Sequence, residues 1–192
     1  MFNKYQKGEY GYMNSYKKSK LIMSLIFAAM ISFIIITMLI MFGSTQRIMV
    51  VFAIILVLPF AKFMIAYIMC ITFKPMDRET YKYIKDKTVS QNGILLYDVV
   101  ITESAGMKFY QSLCVSDGRI YAYIEDKNYK DRKNDYVRWI KNCISGTKFS
   151  YTIYVTDDKD EYIKKVNSVS KSNDKNERID KHIVERILVT CV

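Results

Sequence analysis

Residues 21–42, LIMSLIFAAMISFIIITMLIMF, and residues 48–73, IMVVFAIILVLPFAKFMIAYIMCITF, are two apolar runs separated only by GSTQR (43–47). A helix rises about 1.5 Å per residue and the hydrocarbon core of a bilayer is about 30 Å thick, so about 20 apolar residues make a span. Both runs reach that length, and the five residues between them leave room for a turn and little else. The pair predicts a transmembrane helical hairpin. A secretory signal is the competing reading of the first run. That run is too long for a signal core, and no small-residue cleavage site of the A-x-A kind follows it.

Charge on either side of the runs orients the hairpin. Residues 1–75 hold eight Lys/Arg and one acid (8 − 1 = +7), and residues 76–192 hold 21 and 18 (21 − 18 = +3), which accounts for the net +10. Lys4, Lys7, Lys17, Lys18 and Lys20 precede the first run, and Lys74, Arg78, Lys82, Lys85 and Lys87 follow the second. Arg47 is the one charge in the loop between them. By the positive-inside rule both termini are cytoplasmic. A composition rich in Lys, Ile, Asn and Tyr points to a bacterial genome, hence to a multi-pass protein of the plasma membrane. The basic excess is thus a mark of topology, and the nearly balanced remainder argues against a nucleic-acid partner. Residues 1–20 read as a basic cytoplasmic tail. Its Tyr10, Tyr12 and Tyr16 either rest at the lipid headgroups or belong to a disordered segment.

Beyond Pro75 the pattern changes to alternating and amphipathic segments, the signature of a water-soluble domain over residues 76–192. Arg78 to Thr88 reads as a helix, ended by a turn at Gln91-Asn92-Gly93. Ile94 to Thr102, Lys108 to Ser116 and Arg119 to Asp126 read as strands, the last two joined at Asp117-Gly118, a strong hairpin signal. Tyr136, Val137, Ile140 and Ile144 share a helical face with Gly146 as its stop, and Phe149 to Thr156 returns as a strand. Asp157 or Asp158 caps a further helix with Tyr162, Ile163, Val166 and Val169 as its buried stripe. Lys171 to Glu177 reads as a polar loop or a frayed helix end, Ile179, Ile183 and Ile187 as a last helix, and Leu188 to Val192 as a short edge strand. The fold class is α+β: a transmembrane hairpin followed by a cytoplasmic α/β sandwich.

Few side chains suggest chemistry. Lys62 lies inside the second run, and no Asp or Glu occurs from Leu21 to Phe73 to pair with it. An ionisable group at that depth is a functional candidate, although a lysine there can also snorkel toward the cytoplasmic surface. A turn near Thr45 puts Lys62 level with Ala28 and Ala29. Its partners could be Ser32, a carbonyl freed by Pro59, a lipid phosphate or another protein, which makes lipid or small-ligand sensing one functional reading. Asp98 on the first strand, with Glu125 and Lys127 at the end of the third, aligns with the D…E-x-K arrangement of restriction-endonuclease-like folds. In such a set the carboxylates hold Mg²⁺ and the lysine supports the attacking water. Glu125 and Lys127 share a strand face with Arg119, Tyr121 and Tyr123, which is equally the pattern of a solvated face. The order helix, three strands, helix, strand resembles a degenerate core of that fold family.

Other signals are structural. Cys70, Cys114, Cys143 and Cys191 form no C-x-x-C pair and His182 is the one histidine, so neither a zinc site nor a disulfide framework is expected, and no cofactor. His182 reads as solvated and Trp139 as part of a core. No glycine-rich phosphate loop occurs. The opening MFNKYQKGEYGY, the two close spans, LPFAK in the second and an α/β tail of this size resemble a group of small two-span membrane proteins of Gram-positive anaerobes. Some of that group carry the label O-linked GlcNAc transferase-like. The chain has neither the helical repeats nor the large nucleotide-sugar domains which that activity requires. The expected function is a membrane-anchored, non-enzymatic binding or assembly module. Its partners are the lipid bilayer and either another protein or further copies of itself. A membrane-tethered nuclease or hydrolase using Asp98, Glu125 and Lys127 is the alternative.

Overall fold

The computed structural model describes residues 5–42, 47–88, 93–103, 106–126, 128–146, 151–169 and 174–191. The chain divides into two compact units, a helical one over Met13–Lys74 and an α/β one formed by Tyr5–Tyr12 together with Pro75–Val192.

The helical unit consists of α1 (Tyr12–Phe42) and α2 (Arg47–Ile71). Both are long and apolar enough to cross a membrane, over Tyr12–Ile40 and Val50–Ile71, and only 11% and 6% of their most apolar stretches is buried. The central helix of a water-soluble core would be mostly covered. They run antiparallel: the Phe27 ring stacks on Phe63 at 5.6 Å, Lys20 Nζ lies 5.3 Å from the Phe63 ring, and the Lys17 ammonium donates to the Phe73 carbonyl. The first helix starts at Tyr12, well before Leu21. Gly11, at φ 88°, ends the preceding turn, and residues 12–20 contain no Gly or Pro to stop the helix propagating backward. The second stops at Ile71 rather than Phe73, ahead of Lys74-Pro75, where the residue before proline is kept out of the helical region. The expected turn at Gly43 and Ser44 lies outside the described residues.

In the α/β unit, α3 (Arg78–Lys87) precedes the strands β1 (Ile94–Glu103), β2 (Gly106–Ser116) and β3 (Arg119–Tyr123). Helix α4 (Tyr129–Ile144) leads to β4 (Thr152–Thr156), followed by α5 (Lys159–Asn167) and α6 (Asp174–Thr190). The sheet order is β1-β2-β3-β4, antiparallel until β4, which runs parallel to β3. The β2–β3 turn places Asp117 at φ 47° and Gly118 at φ 72°, the left-handed pair that a two-residue hairpin of matching twist needs. A parallel fourth strand needs a crossover, and α4 supplies it.

Helices cover both sheet faces. One core joins Val99, Tyr110, Leu113 and Ile120 to Trp139 and Ile140 of α4 and Ile183 and Ile187 of α6. The other joins Tyr97, Cys114, Tyr121 and Tyr123 to Ile84 of α3 and Tyr162 and Val166 of α5. Strand β1 changes faces midway. Tyr97 belongs to the second core, whereas Val99 and Ile101 belong to the first, and Asp98 between them sits at φ 51°. β2 shifts in step, since Tyr110 and Leu113 share the first core, so the pairing register stays constant at Tyr97↔Ser112 and Val99↔Tyr110. Two opposed irregularities therefore cancel in register while exchanging the faces.

Several expectations change in extent. Residues 1–20 do not behave as one tail, because Tyr5–Tyr12 pack into the α/β unit and the following residues are helical. Tyr97 N donates to Gly8 O at 2.8 Å, Lys7 Nζ to Cys191 O at 2.6 Å, and Tyr10 stacks on Tyr81 at 3.9 Å. Leu188 to Thr190 belong to α6 and not to an edge strand. Ile183 and Ile187 seat that helix, and one bridge from Cys191 to Ile101 remains of the expected strand. Helix α4 begins at Tyr129, seven residues before Tyr136, because Tyr129 is buried and its hydroxyl donates to the Val155 carbonyl. Asp158, not Asp157, caps α5, accepting from Asp160 N at 2.8 Å. Residues 89–92, 147–150 and 170–173, which include parts of the expected turn, strand and polar loop, lie outside the described residues.

Candidate interaction site

The two carboxylates aligned with a metal site have different partners. Asp98 is 1% exposed, and its Oδ2 accepts from Gly11 N at 2.8 Å, so its carboxylate fastens the Tyr5–Tyr12 segment to the sheet. Glu125, just beyond β3, is exposed; its amide donates to Gln111 Oε1 at 2.9 Å and its carboxylate accepts from Tyr123 OH at 3.0 Å. Burial and the Glu125 charge both push the Tyr123 phenol upward, so it stays a donor. Strand β2 lies between the two carboxylates' strands, a backbone separation of about 9.6 Å at 4.8 Å per strand. Lys127 lies outside the described residues. Among the described residues no three His, Cys, Asp or Glu gather to hold a metal ion.

The remaining candidates have ordinary surroundings. His182 is exposed on α6 and Trp139 is 4% exposed in the first core. All four cysteines are free and buried. Burial pushes the Cys114 and Cys191 thiols up to about 12, which suppresses the thiolate that a nucleophile would need. Asp180 of α6 is buried and clamps the β-hairpin, accepting from Asp117 N at 2.9 Å and from Tyr151 OH at 3.1 Å. In the helical unit Ser32 donates to Ala28 O at 2.9 Å within its own turn. Lys62 is exposed and makes no hydrogen bond or ion pair among the described residues. The stacking of Phe63 on Phe27 does put it level with Ala28.

A feature that hydrophobic patterning missed lies at β4. The outer edge of β1 is covered by Gly8 and by Cys191. Strand β4 forms the other edge of the sheet, and among the described residues no strand pairs with its outer side. Thr152 N donates to Gly118 O and Thr156 O accepts from Ile124 N, each at 3.1 Å, so the even-numbered residues turn their backbone toward β3. In a parallel ladder the alternate residues face the other way, which presents Ile153 and Val155 outward. The Val155 carbonyl is taken by Tyr129, leaving the Ile153 amide and carbonyl and the Val155 amide as the outward groups.

A pocket of about 250 Å³ runs along this edge, lined by Ile153, Tyr154 and Val155 with Lys133 of α4 and Glu161 and Lys165 of α5. Tyr154 is 41% exposed and stacks on Tyr121 at 5.5 Å, with Lys165 Nζ 4.4 Å from its ring. Glu161 is fixed by Thr156 Oγ1 at 2.6 Å and by Lys165 at 3.5 Å, and that hydrogen bond, followed by the Lys165 charge, holds its carboxyl below the usual range. Lys133 adds an exposed cation to the rim; its Nζ lies 6.0 Å from the Tyr129 ring and its charge also lowers the Glu161 carboxyl. A flat aromatic ring, outward amides and a basic rim can bind an extended backbone.

The chain matches no known protein family, no curated protein and no solved structure.

Proposed function

We propose that this chain is a membrane-anchored, non-enzymatic binding and assembly module of a bacterial plasma membrane. The α1–α2 hairpin is its anchor, both termini are cytoplasmic, and the α/β unit captures an extended segment of a protein partner along β4. The carrying observation is the β4 edge, which no strand covers among the described residues, beside the Tyr154 pocket, a surface suited to adding one strand. Lys133 favours an acidic residue in that strand. The large uncovered apolar surface of both helices supports the anchor, and the lysines flanking them support the orientation. The order of helix, antiparallel three-strand meander, crossover helix and parallel fourth strand supports a degenerate restriction-endonuclease-like core. In this reading Asp98 serves packing rather than metal binding.

The test is photo-crosslinking from position 154 of the full-length protein in native membranes, with and without Ile153→Pro. The Ile153 amide faces away from β3, so proline there removes an edge donor without removing a ladder bond. A discrete adduct to a partner or to a second copy, lost in the proline variant, is the expected result. No adduct, or one indifferent to the proline in a protein that keeps its circular dichroism, overturns the reading.

A further inference from the structure

Val51, Ile55, Leu58, Lys62, Ile65 and Met69 succeed one another along α2 at intervals of four, three, four, three and four residues. All six are exposed. This is the 3.5-residue period of a helix–helix seam, and Lys62 is its one polar member, at the kind of position where a polar side chain selects register and partner. The opposite row, Ala53, Leu56, Phe60, Phe63 and Tyr67, is half-buried, and its Phe63 is the ring that stacks on α1. The seam containing Lys62 therefore lies on the side of α2 that the hairpin does not use, a side that also exposes Ile54, Val57 and Ile68.

Snorkelling fits this position poorly. The nearer end of the span, Ile71, is nine residues away, about 14 Å, and the farther end, Val50, is twelve away, about 18 Å. An extended lysine stem covers roughly 6 Å. Every Cα–Cβ bond in a helix tilts toward its N-terminus, so the Lys62 stem starts off toward the farther end. No carboxylate between Leu21 and Phe73 can meet it. A second copy cannot supply one either, because its two apolar runs lack Asp and Glu in the same way.

We infer that the exposed α2 seam docks a transmembrane helix of a different protein, one that carries an Asp or Glu near the bilayer midplane opposite Lys62. Charge complementarity selects that occupant, and the apolar members of the seam supply the packing along it. The inference rests on the hairpin spanning a bilayer and names a partner class for the assembly function.

The experiment uses the full-length protein in phosphatidylcholine vesicles with a synthetic Leu-rich transmembrane helix bearing Glu at its centre, compared with Gln and Leu versions, and reads association by energy transfer. The Glu helix should bind about five-fold or more tightly than the Leu helix, as expected for a polar interhelical contact. Lys62→Met should abolish the difference and Lys62→Arg should keep it. Equal binding of the Glu and Leu helices overturns the inference, and so does a preference that survives Lys62→Met. A preference that vanishes when phosphatidylglycerol is added also overturns it, because Lys62 then takes a lipid headgroup. Alkaline carbonate extraction of the same vesicles separates the two levels. A chain that washes off overturns the spanning reading, whereas a retained chain without Glu dependence overturns only the docking inference.

Discussion

The α/β unit and the helical unit treat polar groups in opposite ways. In the α/β unit several buried polar side chains are tied to named partners, Asp98 to Gly11, Asp180 to Asp117 and Tyr151, Gln111 to Glu125, and Tyr162 to Ser112 at 2.9 Å, whereas the buried Thr88 hydroxyl has no hydrogen-bond partner among the described residues. In the helical unit Ser32 is satisfied within its own turn, while Lys62 stands exposed among apolar neighbours with no ion pair among the described residues. A fold that encloses a charge must supply its partner, because leaving a buried group unsatisfied costs on the order of 1–3 kcal/mol or more. An exposed charge on an apolar helix moves that requirement to whatever surrounds the helix. The contrast separates a residue that serves the fold from one that addresses the environment.

The sharpest way to break this contrast is to remove a charge from each unit. Asp98→Leu deletes the acceptor for Gly11 and forces a leucine into the left-handed region. It should destabilise the α/β unit by about 3–5 kcal/mol in denaturant unfolding, followed through the fluorescence of Trp139, the single tryptophan. Loss of a metal-dependent activity with stability unchanged would instead return Asp98 to the catalytic reading. Lys62→Leu should have the opposite sign. Membrane insertion of α2, read by glycosylation-site mapping in an insertion assay, should become more favourable by about 3 kcal/mol, while unfolding of the α/β unit stays within about 0.5 kcal/mol of the parent. Unchanged insertion would show that the charge never enters the hydrocarbon.

A smaller effect concerns pH. Burial pushes the Tyr97 and Tyr129 phenols up to about 12 in the folded protein, against an ordinary value of 10. A folded-state value raised in this way contributes stability that is complete below pH 10 and is lost as pH rises toward 12, since the unfolded chain releases these protons first. Unfolding midpoints measured from pH 9 to 12 should therefore fall progressively. Tyr97→Phe, which has no such proton, should flatten part of the slope. A midpoint independent of pH in that window would mean that these phenols are solvated.

Much of the element order was legible because the apolar periods are long and the punctuation strong. The two runs of Leu21–Phe42 and Ile48–Phe73 have lengths that only a span or a deep core requires, Asp117-Gly118 marks a hairpin by its left-handed tolerance, and Asp158 caps a helix by its side-chain oxygen. The candidate site was less legible. Asp98 reads as a metal ligand by type and strand position, while the contact of its Oδ2 with the Gly11 amide spans 87 residues of sequence. The face exchange at Asp98 depends on a matching irregularity in β2, which periodicity within one strand cannot reveal.

The sequence by itself determined the two apolar helices, the three-strand meander, the crossover to a fourth strand and the absence of acids beside Lys62, because each follows from local period, turn chemistry or composition. Tertiary structure alone decided that Tyr5–Tyr12 cover one edge of the sheet while β4 has no strand on its outer side among the described residues, and that Asp98 holds a backbone amide. It also decided that the seam bearing Lys62 faces away from α1. Those outcomes turn on which surfaces meet across long sequence separations, and residue pattern does not encode which of several compatible surfaces finds a partner.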